Sequence, residues 1–415
     1  MRPSEGELIH DWNLAEETPH PARGRVELND ETLRDGLQSP SVKTPSIEQK
    51  LAVLHGLAAI GIDALDIGLP GAGAHVVRDV SRLAQEIADQ RLPIAPNCAA
   101  RTLEADIRPI VEISQQAGIA IEAACFLGSS PIRQYAEGWE LEAMVRLVTG
   151  AVGFAVGHGL PVMFVTEDST RARPDDLARL YLAAIEAGAR RICIADTVGH
   201  ATPAGTRALV TFLRRTIDAT GERVEIDWHG HNDRGLAIAN CIAAAEAGAD
   251  RIHGTLIGIG ERVGNAQLDQ ILVNFELLGW SRRNLAPLSG LCDLVAQATG
   301  VPIPESYPIF GRDAFRTQTG VHAAAILKAR AKGDDWLADR VYSSIPAALV
   351  GRRQRVEIGP MSGQANVTYW LLDHGFEPAA ELVQEIFRAA KGSATTLEEE
   401  TVLAICRAHG AVARG

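Results

Sequence analysis

Residues 224–265 read VEIDWHGHNDRGLAIANCIAAAEAGADRIHGTLIGIGERVGN, two strand-like runs with a glycine-punctuated amphipathic helix between them. The first run, Val224–Trp228, leads into His229-Gly230-His231. Side chains two apart on a strand point to the same face, so both imidazoles can approach one ion from one side. The second run starts at Arg251 and ends in the loop Gly258-Ile259-Gly260-Glu261-Arg262-Val263-Gly264-Asn265. Two strand ends carrying histidines and a polar glycine loop have the character of a site, and strand–helix–strand is one βα unit.

The same unit repeats back to Arg25, with strand candidates at 25–29, 64–67, 93–97, 119–126, 161–165, 191–195, 224–228 and 251–256. They are rich in Val, Ile, Leu and Ala without strict alternation, as strands covered on both faces are. Amphipathic helices separate them. Residues 46–60 stripe Ile47, Leu51, Leu54 and Leu57, and residues 174–187 place Leu177, Leu180 and Leu182 among polar neighbours. Gly61, Gly118, Gly188 and Gly248 stand where a left-handed helix end would turn the chain back into a sheet. Eight even units over roughly 250 residues predict an α/β protein with a (β/α)8 TIM barrel, in preference to a doubly wound sheet. The rhythm breaks near Trp280. The expected organisation is an arm at 1–23 without helical or strand period, a barrel at 24–283, and a mainly helical extension at 284–415.

Composition limits the function. The chain has 415 residues, 46% apolar and 22% charged, which is ordinary for a globular protein. A net charge of -12 argues against nucleic acid or an anionic membrane as partner. An anionic substrate stays possible, because a metal and a few arginines can reverse the local field. The six cysteines form no CxxC pair, which speaks for buried thiols in a reducing compartment and against a disulfide framework. Without an apolar leader or a bilayer-spanning run, the expectation is a cytoplasmic protein.

Barrel enzymes collect their chemistry at the C-terminal strand ends. Here those ends carry Asp30, Glu31, Arg34 and Asp35, then Asp66, Glu167 and Asp168, Asp196 and Thr197, His229 and His231, and Glu261, Arg262 and Asn265. Loops are polar in any case, so the series alone proves little. Two imidazoles and a carboxylate, however, suit Mg, Mn or Zn and leave positions open for a chelating substrate. The loop GIGERVG is not a dinucleotide cradle, because Val263 occupies the required third glycine. His253 and Cys193 lie inside strand patterns and read as core.

Leu33-Arg34-Asp35-Gly36-Leu37-Gln38, His229-Gly230-His231-Asn232-Asp233 and Gly258–Asn265 together resemble the acyl-CoA-dependent metallo-barrel enzymes. That group comprises the 2-isopropylmalate, homocitrate and citramalate synthases and, as a relation, 3-hydroxy-3-methylglutaryl-CoA lyase. The resemblance runs from Arg25 past Tyr342. It implies Asp35, His229 and His231 as metal ligands, Asn265 close to the metal, and Arg34 beside the substrate carbonyl oxygen. Glu167 and Thr197 match residues of a 2-oxo acid pocket, and Gln38, Thr197 and Arg133 are the implied substrate-binding positions. Thr319-Gly320-Val321-His322-Ala323 resembles the synthases' extension motif, whose histidine reaches the partner subunit's site in a homodimer, and Tyr342 falls where those enzymes place a tyrosine. The lyase lacks this extension.

Some residues depart from the synthase pattern. Leu37 replaces a usual glutamate and is the lyase's habit, and Asp66 stands where many relatives carry glutamate. Arg133 replaces a histidine of the isopropylmalate synthases, and Met163 sits at an arginine position of some homocitrate synthases. The implied reaction joins the methyl carbon of acetyl-CoA to the ketone of a 2-oxo acid by Claisen-type condensation and releases CoA. Arg34 would stabilise the developing alkoxide, and Glu167 or His322, helped by Tyr342, would take the methyl proton. Homocitrate-like or citramalate-like specificity and a hydroxyacyl-CoA lyase are the alternatives. An amidohydrolase would carry its HxH on the first strand rather than the seventh. A non-catalytic binding module fits poorly with the intact rim.

Overall fold

The computed structural model describes residues 3–14 and 25–413. Eight parallel strands close into a barrel in sequence order, β1 to β8. They are β1 Glu27–Asp30, β2 Ala64–Asp66, β3 Ala95–Arg101, β4 Glu122–Gly128, β5 Val162–Glu167, β6 Arg191–Asp196, β7 Glu225–Gly230 and β8 Arg251–Gly254. Closure is through β1 and β8, with Glu27 opposite Arg251 and Asp30 opposite Gly254. All eight expected strands are present, displaced by up to about a turn of chain because apolar flanks blur the ends. A helix follows each strand, and the four glycines expected to end helices all adopt positive φ.

Helix Ile47–Ala59 shows how tertiary packing shifts a sequence stripe. Ser46 caps it by accepting from the Gln49 N–H at 3.3 Å. Leu54 and Leu57 are buried as expected, but Val53 and the Lys50 stem join them while Ile47 and Leu51 are only half-buried. The Lys50 amine at the end of that stem donates to Asp79 at 2.7 Å.

By internal packing the chain divides into two units. The first holds residues 1–284 and 290–302, the second 285–289 and 303–415. The boundary anticipated at 283/284 is therefore not a clean cut. Helix Leu288–Thr299 runs largely with the barrel, where Leu291 lies against Gly56 and the Thr299 carbonyl accepts from Lys43. The second unit is mainly helical, built from Gly320–Ala331, Asp335–Arg340, Gln364–Asp373, Ala380–Lys391 and Glu399–Ala408. It also contains one short parallel ladder, β9 Arg316–Thr317 with β10 Arg355–Val356. Within the arm, residues 5–8 do form one helical turn, with the Ser4 N–H donating to the Glu7 carboxylate at 2.7 Å. Residues 15–24, which hold the rest of that arm up to residue 23, lie outside the described residues. No helix among the described residues is long and apolar enough to cross a membrane. All six cysteines are buried and unpaired.

Candidate metal-binding active site

Alternate residues of each strand point into the barrel and stack in layers. On β7 and its continuation these are Asp227, His229 and His231; on β8 they are Arg251 and His253. After β1 the chain turns sharply, with the Arg34 and Gly36 N–H groups both donating to the Glu31 carbonyl at 3.1 and 3.0 Å. That turn carries Glu31, Arg34 and Asp35 over the mouth, where they line a cavity of about 280 Å³ together with Gln38, Asp66, Glu167, Thr197, His229, His231, His253, Glu261 and Arg262.

At its centre Asp35 Oδ2 stands 3.4 Å from His231 Nε2 and 3.7 Å from His229 Nε2. One ligand atom from each of the three lies within 4.8 Å of the other two. Asp35 Oδ2, His231 Nδ1 and Asn265 Oδ1 are buried without a hydrogen-bond partner. Buried polar groups are normally satisfied, so a cluster of orphaned acceptors marks a place for something not yet counted. Oxygen and neutral imidazole donors fit a divalent cation. Burial, then the facing His229, pushes His231 down to about 4, which leaves its imidazole neutral and able to ligate at neutral pH. Burial also opposes ionisation of Asp35, but Arg34 and His229 more than offset it and hold that carboxyl below its ordinary range.

Arg34 is held by three carboxylates. Its Nε donates to Asp66 at 2.6 Å and its Nη2 to Glu31 at 3.1 Å, and Nη1 lies 3.2 Å from Asp35. Burial works against the guanidinium's charge, and these three carboxylates overcome it. Asp66 in turn is pushed up to about 6 by burial, only partly countered by Arg34.

Below the mouth runs a chain of hydrogen bonds. His229 Nδ1 faces Glu31 Oε2 at 2.7 Å, Glu31 Oε1 faces His253 Nδ1 at 3.0 Å, and His253 Nε2 faces Asp227 Oδ2 at 2.7 Å. A carboxylate on Nδ1 sets the His229 tautomer and leaves Nε2 free toward Asp35. Glu31, His229 and His253 also lie close enough to be a ligand set, but there each donor atom already has a partner. His253 is buried as expected for a core position, and it also lines the cavity and bridges two carboxylates, which raise its pKa against the effect of burial. Cys193 is buried in the cavity wall, and burial pushes its thiol well above the ordinary range, so it is no nucleophile.

The rest of the wall is apolar: Leu69, Ala99, Ala124, Phe126, Met163, Val165 and Ala195. Glu167 stands at the rim and is raised by burial, with Arg133 Nη2 at 3.8 Å as a weak counterweight. Arg133 also pairs with Glu137 at 3.2 Å. Thr197 Oγ1 accepts from the Asp168 N–H at 2.8 Å. The glycine loop is held by backbone that only glycine tolerates: Gly264, at φ 95°, would drive a Cβ to 1.8 Å from the Gly258 carbonyl oxygen. Arg262 ties it down by donating to Asp233 at 2.7 Å and to the Thr197 carbonyl at 2.6 Å, and His231 bridges to Asn265.

The structure therefore gathers Arg34, Asp35, Gln38, Glu167, Thr197, His229 and His231 round one cavity, and Asn265 joins them through its bridge to His231. His322 and Tyr342 belong to the second unit, where their rings stack with centroids 3.9 Å apart. Sequence reasoning assigned no role to Glu31 or Asp227. The period of two running Asp227, His229, His231 and Arg251, His253 was the signal available for the interior chain.

Residues 25–295 match the HMGL-like family. The chain is 34% identical over 374 residues to the homocitrate synthase AksA of Methanopyrus kandleri, covering 88% of this chain and 87% of that one. It is equally 34% identical over 371 residues to a probable 2-isopropylmalate synthase of the same organism, covering 88% and 69%. Among solved structures, the HMG-CoA lyase of Bacillus subtilis superposes with a TM-score of 0.59 at 21% identity, covering 69% of this chain and 97% of the lyase, a likeness of fold.

Proposed function

The chain belongs to the HMGL-like family, and from that premise we propose that it is a divalent-metal-dependent acyltransferase. It condenses acetyl-CoA with a 2-oxo acid to give a 2-alkylmalate and free CoA, in the manner of a 2-isopropylmalate synthase. The observation that carries this reading is the convergence of Asp35, His229 and His231 beside Arg34 in an apolar-walled cavity, with buried atoms of Asp35, His231 and Asn265 left without a partner.

Asp35, His229 and His231 would hold the cation, with Asn265 at its edge. When bound, the ion supplies Lewis-acid polarisation of the oxo acid's ketone. Glu31 acts as a positioning residue, holding His229 in the tautomer that ligates through Nε2. Arg34, locked by Asp66 and Glu31, presents its charge toward the oxygen on which negative charge develops. A base takes the acetyl methyl proton, the methyl carbon bonds to the ketone carbon, and the alkoxide is protonated. Water then cleaves the thioester to a carboxylate and the CoA thiol. Glu167, raised by burial, is one candidate base; His322, stacked on Tyr342, is the other, acting from the partner subunit of a homodimer.

The wall supports an apolar side chain on the oxo acid. Arg34 and Arg262, the arginines that line the cavity, are both committed to carboxylates, so a second substrate carboxylate would find no free cation. Thiol release measured across 2-oxoisovalerate, pyruvate, 2-oxoglutarate and oxaloacetate is expected to be fastest with 2-oxoisovalerate. Faster turnover of 2-oxoglutarate would overturn the specificity, and release only from a hydroxyacyl-CoA would replace the synthase with a lyase. Mixing the inactive variants His229→Ala and His322→Ala is expected to restore turnover if sites are shared between subunits.

A further inference from the structure

The second unit contains a cavity of about 410 Å³ lined by Arg312, Phe315, Arg316, Gly351, Arg352, Arg353 and Arg355. Five of those seven residues are arginines and none is acidic, in a chain whose net charge is -12. The short ladder sharpens the point, because Arg316 of β9 and Arg355 of β10 are register partners. Partners in a parallel ladder stand side by side about 4.8 Å apart on one face. Like charges so placed repel each other.

The carboxylates nearby offset Arg316 and Arg312. Asp313 and Glu357 both pair with Arg316, at 2.6 and 2.7 Å, and Glu305 pairs with Arg312. Beyond the arginines a groove continues past Asp373, Glu398 and Glu399. Asp373 is held there by Arg330 at 2.7 Å, and none of the three comes within ion-pair distance of Arg353 or Arg355. Those two arginines have no carboxylate partner among the described residues.

The framework is built rather than fluid. Arg352 Nη1 donates to the Ile309 and Gly311 carbonyls at 2.5 and 2.9 Å, and its guanidinium lies 5.1 Å over the Phe315 ring. Gly351 makes the turn before it at φ 70°, where a Cβ would come within 2.5 Å of the Ala286 carbonyl oxygen. Arg352 and Arg316 thus form a rigid back wall, and Arg353 and Arg355 remain available at the front. Planar guanidinium forks match the paired oxygens of phosphate, and several converging on one concavity select an anion of more than one charge.

We propose that this cavity is a binding site for a small multivalent phosphate-bearing ligand, of the size of pyrophosphate up to a nucleoside diphosphate. Arg353 and Arg355 provide the ligand-dependent contacts. The same chemistry comes from two sources, a free nucleotide or the phosphorylated ADP end of a CoA thioester, and the experiment separates them.

Titration calorimetry on the full chain, at low and at physiological salt, would use pyrophosphate, ADP and CoA as probes. Binding that weakens with salt is expected for pyrophosphate and ADP, and about tenfold loss for each of Arg353→Gln and Arg355→Gln. Lysine at either position is expected to recover part of that loss. Binding of CoA alone, lost equally in both Gln variants, would assign the site to the CoA end. No heat with any of the three probes, or binding unchanged in the double Gln variant with its melting temperature intact, would overturn the proposal.

Discussion

The two ends of the barrel interior are both charged, and they are finished differently. At the N-terminal end Arg251 donates to Asp227 and Glu122 at 2.6 and 2.7 Å, and Arg191 donates to Asp227 at 2.8 Å and also pairs with Glu225. Burial opposes the charges of Asp227, Arg251 and Arg191, yet their partners outweigh it, so the Asp227 carboxyl is depressed and both guanidiniums are raised. At the C-terminal mouth Asp35, His231 and Asn265 are equally buried but keep atoms with no partner. Buried charge therefore does not by itself mark a site. The mouth differs in that its unmet atoms belong to a carboxylate, an imidazole and an amide brought together, whereas other buried unpartnered atoms, as at Thr206 and Trp280, stand outside any such ligand set.

The largest expected effect comes from the mouth. Asp35→Asn should lower metal-dependent turnover by several kcal/mol in barrier, about a thousandfold or more, while leaving the melting temperature close to wild type. A large loss of stability with it would mean that the mouth is structural after all. Asp227→Ala tests the other end. It strands Arg251 and Arg191 in the interior and should cost about 3–5 kcal/mol in urea unfolding, and a loss under about 1 kcal/mol would contradict the closed network.

Glu31→Gln falls between the two ends, since Glu31 links His229 to the interior chain. Metal affinity, followed by calorimetry or by the visible spectrum of a cobalt-loaded sample, should fall about tenfold to a hundredfold. An unchanged affinity and spectrum would reduce the Glu31–His229 bond to packing. The remaining effect concerns pH rather than the mouth. Asp30 is raised from 3.8 to about 7 by burial, chiefly against its bonds to Thr32. A carboxyl raised in the folded state contributes stability that is complete below pH 3.8 and is lost as pH rises through 7. Asp30→Asn keeps the protonated pattern and should remove that pH dependence, on the order of 4 kcal/mol between pH 4 and 7. An identical pH dependence in both proteins would show that Asp30 is ionised throughout.

Much of this was legible in the chain itself. The eight strands could be read because buried parallel strands are continuous apolar runs, spaced by helices with one apolar stripe and ended by glycine. The His229–Gly230–His231 spacing and the Leu33–Gln38 motif pointed to the mouth, because a period of two survives in any strand. The second unit was harder to read. Its ladder is only two residues per strand, too short to leave a period, and the register that sets Arg316 beside Arg355 joins positions far apart in the chain.

What the sequence determined alone is local: which segments form strands and helices, and which donor atoms share one face of a strand. Tertiary structure decided which of those faces meet. Glu31 and His253 are separated by 222 positions, yet closure of β1 on β8 brings their side chains to 3.0 Å. That closure turned a histidine that reads as core into a link between the cavity and the buried charges beneath it. Local periodicity records the direction in which a side chain points, whereas its partner is set by how the barrel closes, and no short stretch of sequence contains that.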